Sequence, residues 1–260
     1  MNTTDLERIA WAVDGGVATV TMNRPEKRNA LDARTIAELT EAVSYADESA
    51  DVRVLMIRGA GPDFCGGADL AELERIVAGA GPIENLADAS ALGELFVRMR
   101  RARVPIVAAV HGNAIGGGAG LATAADLIIA SADAVLGYPE VRLGFVPALV
   151  MVLLRKAVGE KVVFDLASGG HRISAVEAHH MGLVTRVFHA DRFEDESLAF
   201  ARELAGRSSS AIQLIKRLLY GGEGLSLEDA LARAAEVNVL ARATPDCQDG
   251  VRKFLERRRS

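Results

Sequence analysis

The stretch His111-Gly112-Asn113-Ala114-Ile115-Gly116-Gly117-Gly118-Ala119-Gly120 leads one apolar run into another through a turn that side chains have almost vacated. The run before it, 106–110, reads as a strand, and the run after it reads as a helix, so the chain must pass from sheet to helix with its backbone bare. A bare turn exposes N–H groups, and the helix that follows adds unpaired donors and the positive end of its dipole. This is a natural site for a negatively charged oxygen. A tight strand-to-helix crossing, in which glycine only relieves crowding, explains the same residues. Nucleotide loops fit less well. A Walker loop beginning at Gly112 needs Lys and Ser or Thr where Gly118 and Ala119 stand, and a dinucleotide fingerprint beginning at Gly116 or Gly118 fails at Leu121 and Thr123.

A second turn of the same kind breaks the tie. Gly59-Ala60-Gly61-Pro62-Asp63-Phe64-Cys65-Gly66-Gly67-Ala68-Asp69-Leu70 follows an apolar strand at 52–57 and precedes a helical pattern. Carried on neighbouring parallel strands, the two turns can each aim one N–H at a single oxygen, the arrangement that stabilises charge developing on a thioester or ester carbonyl. A third segment, Tyr138-Pro139-Glu140-Val141-Arg142-Leu143, sets one carboxylate in an apolar turn bounded by proline. Partial desolvation there raises a carboxyl pKa toward useful proton exchange near neutrality. A solvated glutamate paired with Arg142 is the plain alternative.

Together with Asn23-Arg24-Pro25-Glu26-Lys27-Arg28-Asn29-Ala30-Leu31 and the later Ala178 to Val184, these segments resemble, in order and over nearly the whole length, the enoyl-CoA hydratase/isomerase (crotonase) superfamily. The resemblance implies an α/β fold, a crotonase-like ββα spiral catalytic core over 1–190 with an all-helical trimerisation region over 191–260. It implies an acyl-CoA thioester as substrate, coenzyme A entering as part of that substrate with no separate cofactor, and a homotrimer or dimer of trimers. By the same resemblance the amides of Ala68 and Gly117 hold the thioester oxygen and Glu140 is the acid/base. Lys27, Arg28, Ala30, Gly66, Ala68, Asp69, Leu70, Gly117 and Gly120 line the substrate and CoA site. Lys253 and Phe254 are candidates for covering a neighbour's CoA site.

One departure stands out. Hydratases of the family commonly carry a second glutamate on the helix after the triple glycine, where this chain has Gly120. Glu140 alone suits a Δ3,Δ2-enoyl-CoA isomerase, which lifts a proton beside the carbonyl and returns it elsewhere. Hydration of a 2-enoyl-CoA asks one group to serve twice. The wording around Gly116 to Leu121 and Glu140 to Ala148 is similar to bacterial branched-chain members, including 3-methylglutaconyl-CoA hydratases, which also lack that glutamate. A catalytically inactive acyl-CoA binder is the third reading.

The remaining features are consistent with one sizeable domain plus an appendage: 260 residues, 50% hydrophobic and 25% charged, with a net charge of -5. That charge, and a helix over 33–50 carrying Glu38, Glu41, Asp47 and Glu48 without lysine, argue against nucleic acid. Cys65 and Cys247 give no disulfide framework, and Cys65 reads as a small apolar filler. The five histidines show no metal-ligand spacing beyond an adjacent pair, so no metal is assigned. His111 reads as a strand-end packing or hydrogen-bonding residue. No apolar run is long enough to span a membrane, and residues 1–8 lack a leader pattern, so the expected location is the cytoplasm. Strands are expected at 9–13, 17–22, 52–57, 106–110, 127–130 and 184–188. A loop is expected at 79–82 before another helix, and after the strand at 184–188 only helices are expected, at 193–205, 209–219, 227–240 and from 246 onward.

Overall fold

The computed structural model describes residues 6–79 and 81–258. Ala80, inside the loop expected at 79–82, and most of the N-terminal segment read for a leader lie outside them. The strands are β1 (Ile9–Asp14), β2 (Val17–Met22), β3 (Val54–Gly59), β4 (Ile106–Val110), β5 (Asn113–Ile115), β6 (Leu127–Ser131), β7 (Val135–Gly137), β8 (Arg172–Ser174) and β9 (Arg186–Phe188). The helices are α1 (Ala33–Glu48), α2 (Leu70–Val77), α3 (Pro82–Arg101), α4 (Gly117–Ala124), α5 (Ala148–Ala157), α6 (Glu160–Gly169), α7 (Ala175–His180), α8 (Phe193–Ala205), α9 (Ser209–Gly221), α10 (Leu227–Ala243) and α11 (Pro245–Arg257).

Six strands form one sheet in the order β1-β2-β3-β4-β6-β9, parallel throughout except for the β1–β2 hairpin. The two faces of its centre are buried by different partners, which is why these strands read as unbroken apolar runs. Leu55, Ile57, Ile106, Ala108 and Val110 point into the main core with α1, α3, α4 and α5, whereas Val54, Met56, Val107 and Ala109 alternate to the other face and meet Phe193, Ala201 and Ala205 of α8. The chain thus has the α/β core and the C-terminal helices expected of it, with α8 lying directly on the sheet.

The expected passage from strand to helix at 110–117 differs in one respect: it contains a strand of its own. β5 pairs in parallel with β7, and β7 in antiparallel with β8, as a small second sheet. Three residues flanked by glycines carry too short a pattern to announce a strand. The pairing partner was equally hidden, because Cys65 bridges to Ala114 from a loop distant in sequence. Strand β3 also begins two residues later than expected, since Val52 is buried in the preceding turn.

The C-terminal helices divide. α9 is tied to the core by Lys216, whose ammonium is buried and donates to Met99 O (2.9 Å), Val104 O (3.0 Å) and Asp126 Oδ2 (2.7 Å). Burial holds its pKa below the usual lysine range, with Asp126 opposing that shift. α10 and α11 bury no residue in the single chain, and Leu227, Leu231, Val239 and Phe254 stand exposed. Among the described residues no helix is long and apolar enough to cross a membrane.

Candidate active site

The two glycine turns leave the C-terminal ends of β3 and β4, which are parallel neighbours, and so arrive side by side. They are then stitched together: Cys65 N–H donates to Asn113 O, Ile115 N–H to Cys65 O, and Phe64 N–H to His111 O, all at 2.9 to 3.0 Å. Two glycines make the contact feasible. Gly112 has φ +54°, and a Cβ there would sit 1.9 Å from Pro62 O; Gly67 has φ +100°, and a Cβ there would sit 2.8 Å from Ile115 O. The same Gly67 position lies 3.7 Å from the Gly117 nitrogen, which brings the residue after it, Ala68, next to the start of α4.

The backbone at Ala68 has a defined direction. Leu31 N–H donates to Gly67 O at 2.7 Å and Asp69 N–H donates to Leu31 O at 3.0 Å, a one-residue parallel bridge that uses the peptide groups on both sides. The N–H of Ala68 faces the other way and finds no acceptor among the described residues. Gly117, the first residue of α4, likewise has an N–H with no intrahelical partner, as helix geometry requires, while Gly116 donates to Gly137 O at 2.8 Å.

Glu140 reaches this place from the 3-10 turn Pro139–Leu143 that follows β7, and its Oε1 lies 3.1 Å from where a Cβ on Gly116 would stand. Its Oε2 is buried and has no hydrogen-bond partner among the described residues. Burial pushes its carboxyl above the usual glutamate value, opposed only by a backbone hydrogen bond of its own residue. Leu31 and Leu92 flank Gly117, so two free N–H groups, one desolvated carboxylate and an apolar wall converge on one spot.

The other expected residues differ in where the fold places them. Lys27 and Arg28 are exposed on the loop beside Gly66, whose N–H donates to Arg28 O at 2.7 Å; this places them at the rim. Ala30 is buried with its carbonyl already accepting from Arg24 Nη1, and Leu70 is 75% exposed. Asp69 turns inward to Arg24 rather than outward. At Gly120, a Cβ would meet Val150 Cγ2 at 2.6 Å and Phe96 Cζ at 3.2 Å, so the position is filled by neighbours and has no room for a second carboxylate as they stand.

Cys65 is fully buried and its thiol is pushed up to about 12 by desolvation, which suits a packing role and not a nucleophile at neutral pH. His111 donates from Nε2 to Gly61 O (2.9 Å) and rests near Phe193, at the strand end. Several supporting side chains were not read from the sequence. Arg24 spans Asp32 and Asp69; Asn29, buried at φ +54°, donates to Ala60 O and Asp63 O; Asp63 accepts from the Asn113 backbone at 3.0 Å. The available signal was a run of polar residues directly after a buried strand, which loop composition alone explains equally well.

Comparison with known proteins shows the family. The family profile described as Enoyl-CoA hydratase/isomerase matches residues 12–260. A Thermus thermophilus protein named "Putative enoyl-CoA hydratase" is 41% identical over 244 residues, 94% of this chain and 96% of its own. An Escherichia coli protein named 1,2-epoxyphenylacetyl-CoA isomerase is 30% identical over 254 residues, 97% of each chain. The crystal structure of a Mycobacterium smegmatis enoyl-CoA hydratase superposes with a TM-score of 0.92 at 29% identity, covering 97% of both chains. The chain is an enzyme with the α/β crotonase fold, and it belongs to the enoyl-CoA hydratase/isomerase family.

Proposed function

We propose that the enzyme hydrates a 2-enoyl-CoA, with the Ala68 and Gly117 amides holding the thioester oxygen and Glu140 serving as the only acid/base. The observation that carries this reading is the proximity of two N–H groups and a buried carboxylate oxygen that, among the described residues, have no hydrogen-bond partner. In the reaction, Glu140 takes a proton from water as the water oxygen bonds to the β-carbon. The electron pair of the C2–C3 double bond shifts to an enolate whose oxygen the two amides stabilise, a contribution of about 3 to 4 kcal/mol per donor. Glu140 then returns the proton to the α-carbon and the carbonyl re-forms. A carboxyl held above its ordinary pKa suits this double duty, since it must be a base in one step and an acid in the next.

A second reading, Δ3,Δ2-isomerisation, is favoured by the filled position at Gly120, because a proton shuttle needs one carboxylate and no water. Product analysis in deuterated water with crotonyl-CoA, methylglutaconyl-CoA and a 3-enoyl-CoA separates the two. A β-hydroxyl marks hydration; deuterium at the γ position without added oxygen marks isomerisation. Binding without any change at the enoyl thioester absorbance marks an inactive binder. Glu140→Gln is expected to lower kcat by about 10²- to 10⁴-fold while acyl-CoA affinity stays near wild type. Near-normal turnover by that variant rules out the mechanism.

Self-association belongs to the same proposal. The apolar side chains left bare on α10 and α11, among them Leu231 and Phe254, supply a surface for other copies of the chain. Lys253 and Phe254 lie on α11, from which a neighbour's CoA site is reached only in an assembly. The expected solution mass by ultracentrifugation is three or six times 27.5 kDa; a monomer at assay concentration removes this part.

A further inference from the structure

Arg24 stands just past the end of β2 with its guanidinium nearly enclosed, the side chain being 13% exposed. Its Nη2 donates to Asp69 Oδ2 at 2.8 Å, and its Nη1 contacts Asp32 Oδ2 at 3.0 Å and donates to Ala30 O at 2.9 Å. Asp32 is itself fixed, because its Oδ1 caps α1 through the Thr35 N–H at 2.7 Å and its Oδ2 also accepts from Arg8 Nε at 3.0 Å. Arg8, Asp32, Arg24 and Asp69 therefore form a row of alternating charge that runs from the β1 end of the sheet to the first donor turn. Its far end, Asp69, is the residue after Ala68, and its Oδ1 accepts from Ala71 N–H at 3.0 Å at the start of α2.

The consequence for Ala68 is mechanical. Its flanking peptides are held by the bridge to Leu31, but Ala68 is exposed and Leu70 is exposed, so the Asp69 side chain is the inward anchor that this end of the turn offers. A carboxylate of this burial stays inward when a fixed cation meets it with a charge-assisted hydrogen bond, as Arg24 Nη2 does here. Without that cation it gains by swinging toward water, and the peptide between Ala68 and Asp69 moves with it.

We propose that Arg24 is a positioning residue: by clamping Asp69 against Asp32 it aims the Ala68 N–H at the thioester oxygen. This rests on the reading of Ala68 and Gly117 as the oxygen's donors. The geometry requires a guanidinium in particular, because its fork serves Asp69 with one nitrogen and Asp32 and Ala30 with the other.

The test reads the carbonyl itself. Crotonyl-CoA labelled with carbon-13 at the thioester carbonyl is bound to the Glu140→Gln protein, and its C=O stretch is compared with that in buffer. A shift to lower frequency shows that the donors polarise the carbonyl; no shift overturns both the donor reading and this proposal. With the shift present, adding Arg24→Met is expected to return the band toward its solution value. In the Glu140 protein, Arg24→Met is expected to lower kcat by about 10²-fold, the loss typical of a misplaced catalytic group, with KM within about threefold. Arg24→Lys, which keeps the charge and loses the fork, is expected to recover part of both the shift and kcat, and it carries the test if Arg24→Met does not fold. An unchanged band and an unchanged kcat, with only the melting temperature lowered, overturn the proposal and leave Arg24 a stabilising residue. A rise in KM that accounts for the whole loss also overturns it, in favour of substrate binding.

Discussion

The two glycine turns that are proposed to hold one thioester oxygen are positioned by different means. The first, 59–70, adds side chains to its main-chain bonds: Asn29 donates to Ala60 O and Asp63 O, Arg24 holds Asp69, and Asp63 reaches across to the Asn113 backbone. The second, 112–120, is held by main chain against main chain, and what makes it fit is the absence of atoms. A Cβ on Gly112 would enter Pro62 O, and a Cβ on Gly118 would stand 2.5 Å from Cys65 O. The difference predicts how each one fails. Deleting or neutralising a side chain loosens the first turn, whereas the second, Asp63 apart, is disturbed by adding atoms.

The largest expected effect comes from adding atoms at the second turn where the fold can accept them. A Cβ on Gly117 would meet Leu31 Cδ1 at 3.5 Å and Leu92 Cδ2 at 4.0 Å, ordinary contacts, so the position has space that the substrate is proposed to use. Gly117→Val fills that space beside the free N–H without altering any charge. Its kcat is expected to fall by about 10²- to 10³-fold, the loss typical of one oxyanion donor. A melting temperature close to wild type, measured on the same sample, shows that the loss is local. A kcat within about threefold of wild type would remove Gly117 from the donor pair.

The same contrast explains how much was legible in the sequence. Gly116-Gly117-Gly118 and Gly66-Gly67 announce themselves because an emptied backbone leaves a local compositional trace, and the elements on either side follow from apolar periodicity. The 3.6-residue pattern of Ile36, Leu39 and Val43 and the cap at Asp32 give α1, and the strands at Val17–Met22 and Ile106–Val110 match their expected spans. The side-chain clamps leave no such trace. Arg24 and Asp69 are 45 residues apart, and nothing in the sequence pairs them: Asp69 is expected to line the substrate and CoA site, and Arg24 looks like an ordinary loop charge until the fold places them in contact. Glu38 is the same case: it reads as a polar residue on a solvated helix, yet it is buried and accepts from the backbone N–H groups of Arg8 and Ile9. β5 was missed for a related reason, since its identity lies in its partners β7 and Cys65 and not in its own three residues.

The smallest expected effect is one of pH, and it separates the turns by sign. Asp69 is held below the usual aspartate value, first by the Ala71 N–H and then by Arg24, with burial opposing. A depressed carboxyl stabilises the fold fully above its unfolded-state pKa and loses that contribution as pH falls through the folded-state value. The stability gap between wild type and Asp69→Asn, from urea unfolding, is therefore expected to be constant above about pH 5 and to shrink toward acid. Glu140, beside Gly116 in the second turn, is shifted the other way by desolvation. Its raised carboxyl costs stability as pH rises through the window above the ordinary glutamate value, so Glu140→Gln is expected to gain stability over wild type toward neutral pH and to show no gain in acid. A gap for Asp69→Asn that holds unchanged below about pH 3 would break the contrast, because the first turn would then not depend on an ionised clamp.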